Sequence, residues 1–448
     1  MKRYQKVLLV TSACLIVGGG VMGVAGLALG GSPSFVITEK GIQTPEDVAE
    51  GKFIKKKLPL KGIGSMEIQW VEGDVEFVEG DNFHVEYGYD EKYVQVKEEK
   101  KNGTWYLTSK YIQQFNMTGI HFFWNTNGWE QQDSYLKIYM PRGTKLSDMH
   151  VSSGNGKVKI DLTKLTADCV KIDTESGSIE MKGMDCGETK LTQEYGSLKL
   201  EDCDFTGLTI EKEGGECSMK NVSAGQASIR MEYEEEMSVQ GCAIDKLNVT
   251  SEGGICSLAD VTAKEMSLDT GDGSLVLEQV VSEQITVNSE SGDIRMDTLT
   301  GKSLSVGNDY GDVVLNDVTM ETGIHAEAES GIVQMNRVDA GSLEITSEEG
   351  NVQGGQVKIG TGNLEVLYGD CEMDELTVKD LKIESETGEI ALALTEEEKH
   401  YSMLLKTEFG EVTINGENRG SDIIMERDQA ENRLELMSEN GNITIKTR

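Results

Sequence analysis

Short runs of alternating apolar and polar residues recur along most of the chain. From residue 149 to residue 448 they repeat about every 19 residues around one glycine, which we use as offset zero of each repeat. Glu235 fills the one slot of the series that has no glycine. The series is Gly156, Gly177, Gly196, Gly215, Gly254, Gly273, Gly292, Gly311, Gly331, Gly350, Gly369, Gly388, Gly410 and Gly441.

Apolar residues occupy fixed offsets from this glycine. Offset +2 holds Val158, Ile179, Leu198, Cys217, Met237, Cys256, Leu275, Ile294, Val313, Val333, Val352, Cys371, Ile390, Val412 and Ile443. Offsets +4, +7, +12 and +14 are apolar in the same way, with polar residues between them. This period of two predicts strands that bury one face, and the glycine indicates a corner with positive φ or a close backbone contact.

Three short strands in each repeat predict an all-β fold, a parallel β-solenoid (β-helix) of about 19-residue three-strand coils. Each coil buries its apolar face only by stacking on equivalent coils. An antiparallel meander with two strands per repeat explains the period equally well. The solenoid is favoured because identical residue classes recur at identical offsets.

The pattern changes near the N-terminus. Residues 61–148 contain all four tryptophans and many tyrosines, and we interpret them as an N-terminal aromatic β cap that covers the first coil. Residues 31–60 are interpreted as a spacer. An alternative for part of the cap is an exposed loop that grips a partner through aromatic interaction candidates: Phe122, Phe123, Trp124 and Trp129.

A membrane anchor is predicted at residues 7–30. The 23 positions from Val7 to Leu29 carry no charge and follow Lys2, Arg3 and Lys6. This length spans a bilayer, and the preceding basic residues place the N-terminus in the cytoplasm and the rest of the chain outside. A cleaved signal peptide is the alternative. The predicted segments are a cytoplasmic tail 1–6, a single transmembrane helix 7–30, a spacer 31–60, a cap 61–148 and a solenoid 149–448.

The chain is strongly acidic, with 78 Asp and Glu against 42 Lys and Arg, a net charge of −36. Such a charge excludes nucleic acid as a partner, because phosphates are repelled. Eleven repeats carry a carboxylate at offset −2, which the solenoid would place in one column. The column either solvates a corner or binds Ca²⁺ or Mg²⁺ weakly, with Glu290, Asp309 and Glu329 as weak metal candidates.

No catalytic residue or cofactor is predicted. The five histidines are scattered, and neither a CxxC motif nor a Cys/His cluster indicates zinc. Seven cysteines follow the anchor, an odd number that does not suit a disulfide framework. Five of them fall on apolar offsets and are interpreted as small buried hydrophobic residues: Cys203, Cys217, Cys242, Cys256 and Cys371.

These motifs resemble a known family. An anchor is followed by an aromatic β-segment, by Leu136-Lys137-Ile138-Tyr139-Met140-Pro141, and then by reiterated Ser/Glu-x-Gly-Asp/Ser-Ile units. This order, over about residues 60–448, is similar to the bacterial putative-adhesin family, which is common in Gram-positive bacteria. The resemblance implies an uncharacterised cell-surface β-solenoid, often encoded near envelope-stress regulators, and supplies no catalytic residues.

We therefore expect a membrane-anchored, extracytoplasmic rod that displays a surface to an envelope protein or a glycan. Two alternatives remain from other classes. One is an envelope-stress accessory that binds a membrane sensor or transporter through the cap and anchor. The other is a carbohydrate-active β-helix enzyme, which the scattered histidines and the unstacked aromatic residues do not favour.

The anchor generates the first prediction. The full-length protein should fractionate with membranes, and protease added outside the cell should digest the acidic body, since the basic residues hold only the N-terminus inside. Immunoblotting of cell fractions with and without external protease measures both. Recovery of only a soluble form that starts near Gly30 or Gly31 would instead establish a cleaved signal peptide.

Overall fold

The computed structural model describes residues 52–91, 93–112, 133–233 and 235–448. It also describes Gly19 and two short antiparallel strands, β1 (Val36–Thr38) and β2 (Gly41–Gln43). None of the helices among these residues is long and apolar enough to cross a membrane. Apart from Gly19, the predicted anchor at 7–30 lies outside the described residues.

Seven strands of the main sheet precede the regular repeats. They are β3 (Phe53–Pro59), β4 (Ser65–Glu72), β5 (Asp74–Glu79), β6 (His84–Asp90), β7 (Val94–Lys101), β8 (Thr104–Tyr111) and β9 (Tyr135–Met140). Four of them, β4, β5, β8 and β9, pair in parallel as coils of the stack, whereas β3, β6 and β7 run antiparallel to their neighbours. Trp70, Trp105 and Tyr87 are buried among these strands, which gives this region an aromatic core.

The regular repeats begin at residue 145. Their strands are β10 (Lys145–Asn155), β11 (Val158–Ser176), β12 (Ile179–Tyr195), β13 (Leu198–Glu201), β14 (Asp204–Gly214), β15 (Cys217–Lys220), β16 (Ser223–Met231), β17 (Glu235–Gln240), β18 (Ala243–Ala259), β19 (Thr262–Ser291), β20 (Ile294–Tyr310), β21 (Val313–Ser330), β22 (Val333–Glu349), β23 (Val352–Tyr368), β24 (Cys371–Thr387) and β25 (Ile390–Leu394). Their pairing is parallel throughout, which confirms the predicted parallel β-solenoid and excludes the meander.

A short 3₁₀ helix (Glu398–His400) precedes the last strands. These are β26 (Tyr401–Thr407), β27 (Val412–Ile414), β28 (Glu417–Gly420), β29 (Asp422–Met425), β30 (Asn432–Asn440) and β31 (Ile443–Lys446). All strands from β3 onward form one continuous sheet of 29 strands within the described part of the chain. The long strands bend round corners, and for that reason one sheet encloses the core.

Each coil contains three paired segments, as β20 shows against β21. Residues 294–297, 299–301 and 303–308 pair in turn, and the pairing is interrupted between the segments. The interruptions fall at offsets +6, +10 and −2. The residue at +6 adopts positive φ in successive coils, for example Asp260 (54°), Thr298 (63°) and Asp317 (55°). Offsets +6, +10 and the glycine therefore define three corners.

The core is the predicted one. All fifteen residues at offset +2 are buried, and so are the apolar residues at +7 from Met184 to Leu376. A single hydrophobic cluster runs from Leu60 to Ile445. Stacking equivalent apolar positions at a spacing of about 4.8 Å makes this core continuous along the whole stack.

The coils at both ends do not follow chain order. The C-terminal coil, β30 and β31, lies between the coil of β24 and β25 and the coil of β26 and β27. At the other end the coil of β4 and β5 lies between the coil of β8 and β9 and the coil of β10 and β11. Each inserted coil, β4 with β5 or β30 with β31, therefore has a neighbouring coil on both sides.

Antiparallel strands cover the outermost coils. Strands β28 and β29 pair with β27 and β26 at one end, and β7 and β6 pair with β8 and β9 at the other. Beyond β6, the outer strand β3 carries three exposed lysines, Lys55, Lys56 and Lys57. Charged outer strands discourage edge-to-edge association of a long sheet.

The core assignment generates the second prediction. Ile294→Asp should lower the free energy of unfolding by roughly 4 kcal/mol or more, because it places an unpaired charge at a fully buried position. Its exposed neighbour Arg295 points outward and pairs with Asp297, so Arg295→Asp should cost about 1 kcal/mol. Urea unfolding of both variants measures the difference. Equal losses would show that the offsets are assigned to the wrong faces.

Candidate functional site

The candidate site is the glycine corner, which consists of offsets −3 to +1 of every coil. Its glycines stack directly on one another. A Cβ at Gly350 would lie 1.8 Å from the carbonyl oxygen of Gly331, and one at Gly292, where φ is 118°, would lie 2.5 Å from that of Gly273. Glycine avoids this overlap, which confirms the predicted reason for its recurrence, and Glu235 is the one residue of the series that carries a Cβ.

The side chain at offset −3 points inward beneath the corner and is polar in twelve coils. These residues are Ser153, Thr174, Gln193, Lys212, Ser251, Thr270, Ser289, Asn308, Ser347, Ser385, Thr407 and Ser438. Several donate to corner carbonyls: Gln193 to Gly177 at 2.6 Å, Ser251 to Gly253 at 2.8 Å and Thr407 to Gly441 at 2.8 Å. Sequence reasoning missed this row, although the recurrence of small polar residues at −3 was visible.

Lys212 is the one charged member of this row and is 2% exposed. Its ammonium donates to Oε1 of Gln193 at 3.0 Å and to the carbonyl oxygens of Gly196 and Gly214. These bonds replace the water that a buried ammonium would lose. We interpret Lys212 as a structural cation of the corner rather than a reactive amine.

Aspartate and asparagine at offset +1 join successive coils. In six coils the side-chain oxygen accepts a hydrogen bond from the backbone N–H at the same offset of the next coil in the stack. Examples are Asp312 to the N–H of Ile332 and Asp370 to the N–H of Glu389, both at 2.8 Å. The six residues are Asp74, Asp293, Asp312, Asn351, Asp370 and Asn442. This role explains why Asp follows Gly in the repeated motif.

The carboxylates at offset −2 form the acidic column. Its members are Glu175, Glu194, Glu213, Glu252, Glu290, Asp309, Glu329, Glu348, Glu386, Glu408 and Glu439; all are exposed except Glu213, which is half-buried. The weak metal candidates Glu290, Asp309 and Glu329 lie in three consecutive coils. None of the ion pairs formed by the described residues involves a member of the column.

Exposed aromatic side chains share the same corner at offset −1. The aromatic row consists of Tyr195, Tyr233, Tyr310, Tyr368 and Phe409, between 52% and 74% exposed. Tyr233 is two residues before Glu235, but its coil has one extra residue, and the pairing of Met231 with Ser251 at −3 gives Tyr233 the place of −1. Successive rings of the row lie two to four coils apart. Phe409 lies three coils from Tyr368, because the C-terminal coil is inserted between them. Sequence reasoning noted only that aromatic residues do not occupy adjacent coils. We call the acidic column and the aromatic row together the ridge.

In the ridge, at least one ring, that of Tyr368, interacts directly with carboxylates of neighbouring coils. The hydroxyl of Tyr368 hydrogen-bonds to Glu386 in the next coil; this bond, with the negative charge of Glu386, raises the pKa of Tyr368. Glu439 and Glu349 raise it further. Carboxylates therefore surround this ring on the coils to both sides.

Basic side chains are paired at other corners. At offset +10, Lys264 pairs with Asp245 at 2.7 Å, and Lys302 pairs with Glu283 in the same arrangement. Near the +6 corner, Arg337 pairs with Asp317 at 2.5 Å. Offsets −2 and −1 contain no lysine or arginine in any repeat. The negative charge of the chain is thus uncompensated at the ridge.

The seven cysteines of the described chain are free. The five that were predicted to be small buried residues are buried, as is Cys186, whereas Cys169 is exposed. Burial raises the pKa of Cys186, Cys217, Cys256 and Cys371 to about 12. Because the thiolate is the reactive species, these thiols are inert at neutral pH.

The aromatic loop candidates Phe122, Phe123, Trp124 and Trp129 lie outside the described residues. A cavity of about 520 Å³ lies at the N-terminal end of the corner and is lined by Glu72, Asp74 and Glu76 among others. Glu76 pairs with Lys137 at 2.9 Å, and Asp74 accepts the backbone N–H of Lys157. Two of its carboxylates are therefore occupied by structural partners.

The repeats identify the family. The family model for Toastrack DUF4097 matches residues 63–235, 234–343 and 324–446, nearly the whole described chain. The chain belongs to the Toastrack DUF4097 family. This confirms the family resemblance inferred from the repeated motifs. No curated protein matches this Toastrack chain.

Solved structures are similar to parts of this Toastrack chain. A "putative adhesin" of Bacteroides fragilis is 10% identical, with 75% of this chain and 97% of that one covered and a TM-score of 0.17. A "putative adhesin" of Parabacteroides distasonis is 14% identical over the same shares, with a TM-score of 0.25. A "putative cell adhesion protein" of Clostridium sporogenes is 10% identical, with 89% and 100% covered and a TM-score of 0.17.

The acidic column generates the third prediction. Within the described residues, no group of three His, Cys, Asp or Glu side chains is placed to hold a metal ion. Millimolar Ca²⁺ should therefore change the melting temperature only as much as a monovalent salt of equal ionic strength. Calorimetry in the two salts checks this. An excess stabilisation by Ca²⁺ that is lost in a Glu290→Gln, Asp309→Asn, Glu329→Gln variant would show a cation site.

Proposed function

We propose that this Toastrack chain is held in the cell membrane by residues 7–30 and displays its solenoid outside the cell as a binding rod. The ridge is the contact surface, and the partner is a protein or glycan of a cell envelope. The anchor rests on the uncharged N-terminal span and its preceding basic residues. The binding role rests on the exposure and composition of the ridge.

One observation carries the binding role. Aromatic side chains that remain 52% to 74% exposed line one corner of the solenoid over most of its length. Among the described residues, other exposed large apolar side chains such as Val281 and Ile424 lie at other offsets. Exposed aromatic residues in a line are typical of interaction surfaces, because their burial against a partner is favourable.

Binding accounts for the ridge better than catalysis does. The ridge repeats one carboxylate and an occasional ring from coil to coil, and it lies on a convex corner. A catalytic site needs different groups in different roles gathered around one reacting atom. A repeated surface instead suits a partner that is itself extended or repetitive, which many weak contacts hold by avidity.

The fourth prediction tests this role. Purified protein should bind saturably to envelopes prepared from cells that lack it. The double variant Tyr310→Ser, Tyr368→Ser should be retained about tenfold less, because two exposed anchors are lost. The matched control Val281→Ser, Ile424→Ser removes apolar groups of similar exposure from other surfaces and should bind as the wild type does. Equal retention of the two double variants would place the contact surface elsewhere.

A further inference from the structure

The chemistry of the ridge indicates what kind of chain it binds. We propose that the ridge binds an extended, arginine-rich polypeptide segment, with guanidinium groups on the aromatic row and in contact with the acidic column. This inference rests on the proposed binding role and narrows it to one class of partner. Three features of the ridge support it: its charge, the neighbourhood of its rings and its spacing.

Charge selects a cationic partner. Eleven carboxylates line offset −2, none of them in an ion pair of the described residues, and no basic residue occurs at −2 or −1. Nucleic acids and anionic envelope polymers are repelled by such a surface. A small divalent ion is not favoured either, because the described carboxylates do not converge in groups of three.

The rings select a cation that can also stack. Tyr368 lies within hydrogen-bonding distance of Glu386, with Glu349 on its other side. A planar guanidinium lying on this ring can donate two hydrogen bonds to a neighbouring carboxylate while its face contacts the ring. A lysine ammonium carries the same charge but is a point donor without a face. Arginine therefore uses both components of the ridge at once.

The spacing selects an extended chain. Tyr310, Tyr368 and Phe409 are successively three coils apart, because Tyr310 is followed by Ser330 and Glu349, and Tyr368 by Thr387 and Asn440. Three coils correspond to about 14 Å, and four residues of an extended polypeptide span about 13 Å. A segment with arginine at every fourth position matches these rings in order.

The experiment measures binding of the purified full-length protein to four probes. Two are 20-residue Gly/Ser peptides with five arginines or five lysines at every fourth position. The third has the same five arginines in one block, and the fourth is a chitosan oligosaccharide of similar charge. The spaced arginine peptide should bind about fivefold more tightly than the lysine peptide. It should also bind more tightly than the blocked one.

Variants locate the binding on the ridge. The double variant Tyr310→Ser, Tyr368→Ser should have about tenfold lower affinity for the spaced arginine peptide. The control variant Val281→Ser, Ile424→Ser should have the same affinity as the wild type. Two triple variants are compared. The column variant Glu290→Gln, Asp309→Asn, Glu329→Gln should lose more affinity for this peptide than the control Glu278→Gln, Glu321→Gln, Glu372→Gln, which removes three exposed charges elsewhere. Two results would overturn the inference: equal loss of affinity in the two triple variants, or equal affinity for the arginine and lysine peptides. Either would show that the peptide is held only by non-specific electrostatic attraction.

Other outcomes separate this inference from the proposed function. Tighter binding of chitosan than of the spaced arginine peptide, lost in the tyrosine variant, would make an amino sugar polymer the partner. Absence of peptide binding together with ridge-dependent retention on envelopes would also overturn the arginine assignment. In both cases the binding role would stand. If the ridge variants were retained on envelopes as strongly as the wild type, the proposed binding role of the ridge would be refuted.

Discussion

The contact between the glycines of successive coils is the constraint on which the rest of the structure depends. Where glycine stacks on glycine at this corner, the backbone of one coil passes so close to the carbonyl of the next that an added Cβ would overlap it. The direction of every neighbouring side chain follows from it. The side chain at −3 points inward and in several coils bonds to a corner carbonyl, whereas the rings at −1 and all but one of the carboxylates at −2 are exposed. A functional surface at this corner is therefore available in every coil without disturbing the core.

Charge is distributed unevenly among the three corners. At +10, lysine alternates with acids from Asp245 to Glu321 and forms pairs such as Lys264 with Asp245, and at +6 Arg337 pairs with Asp317. Solvent screens exposed pairs of this kind, so they balance charge more than they stabilise the fold. The ridge, at offsets −2 and −1 of the glycine corner, has acids and no lysine or arginine. A column of like charges would destabilise the stack unless solvent or a cationic partner screens it.

Sequence reasoning predicted the repeat well and the surface less well. Period, strand direction, buried offsets and the glycine corner followed from residue classes at fixed spacing, because stacking forces equivalent residues into equivalent places. The order of the end coils did not follow. Gaps of 22 and 31 residues before Gly410 and Gly441 showed that the last coils are irregular. The antiparallel strands that cover the last coil, however, lie outside the repeat and could not be predicted from it. The place of Phe409 in the aromatic row depended on that order. The aromatic loop around Trp124 stays a prediction.

Replacing Gly350 by alanine tests the account most directly. Its backbone needs no positive φ, so the new Cβ would act only through its contact with the carbonyl of Gly331. Gly64→Ala is the matched control, since nothing lies within 4 Å of its Cβ and its φ is also outside the positive range. We expect Gly350→Ala to lower the free energy of unfolding by roughly 3 kcal/mol. Gly64→Ala should change it by less than about 0.5 kcal/mol. Equal stability of the two variants would contradict the claim that glycine stacking sets the corner and the surface it presents.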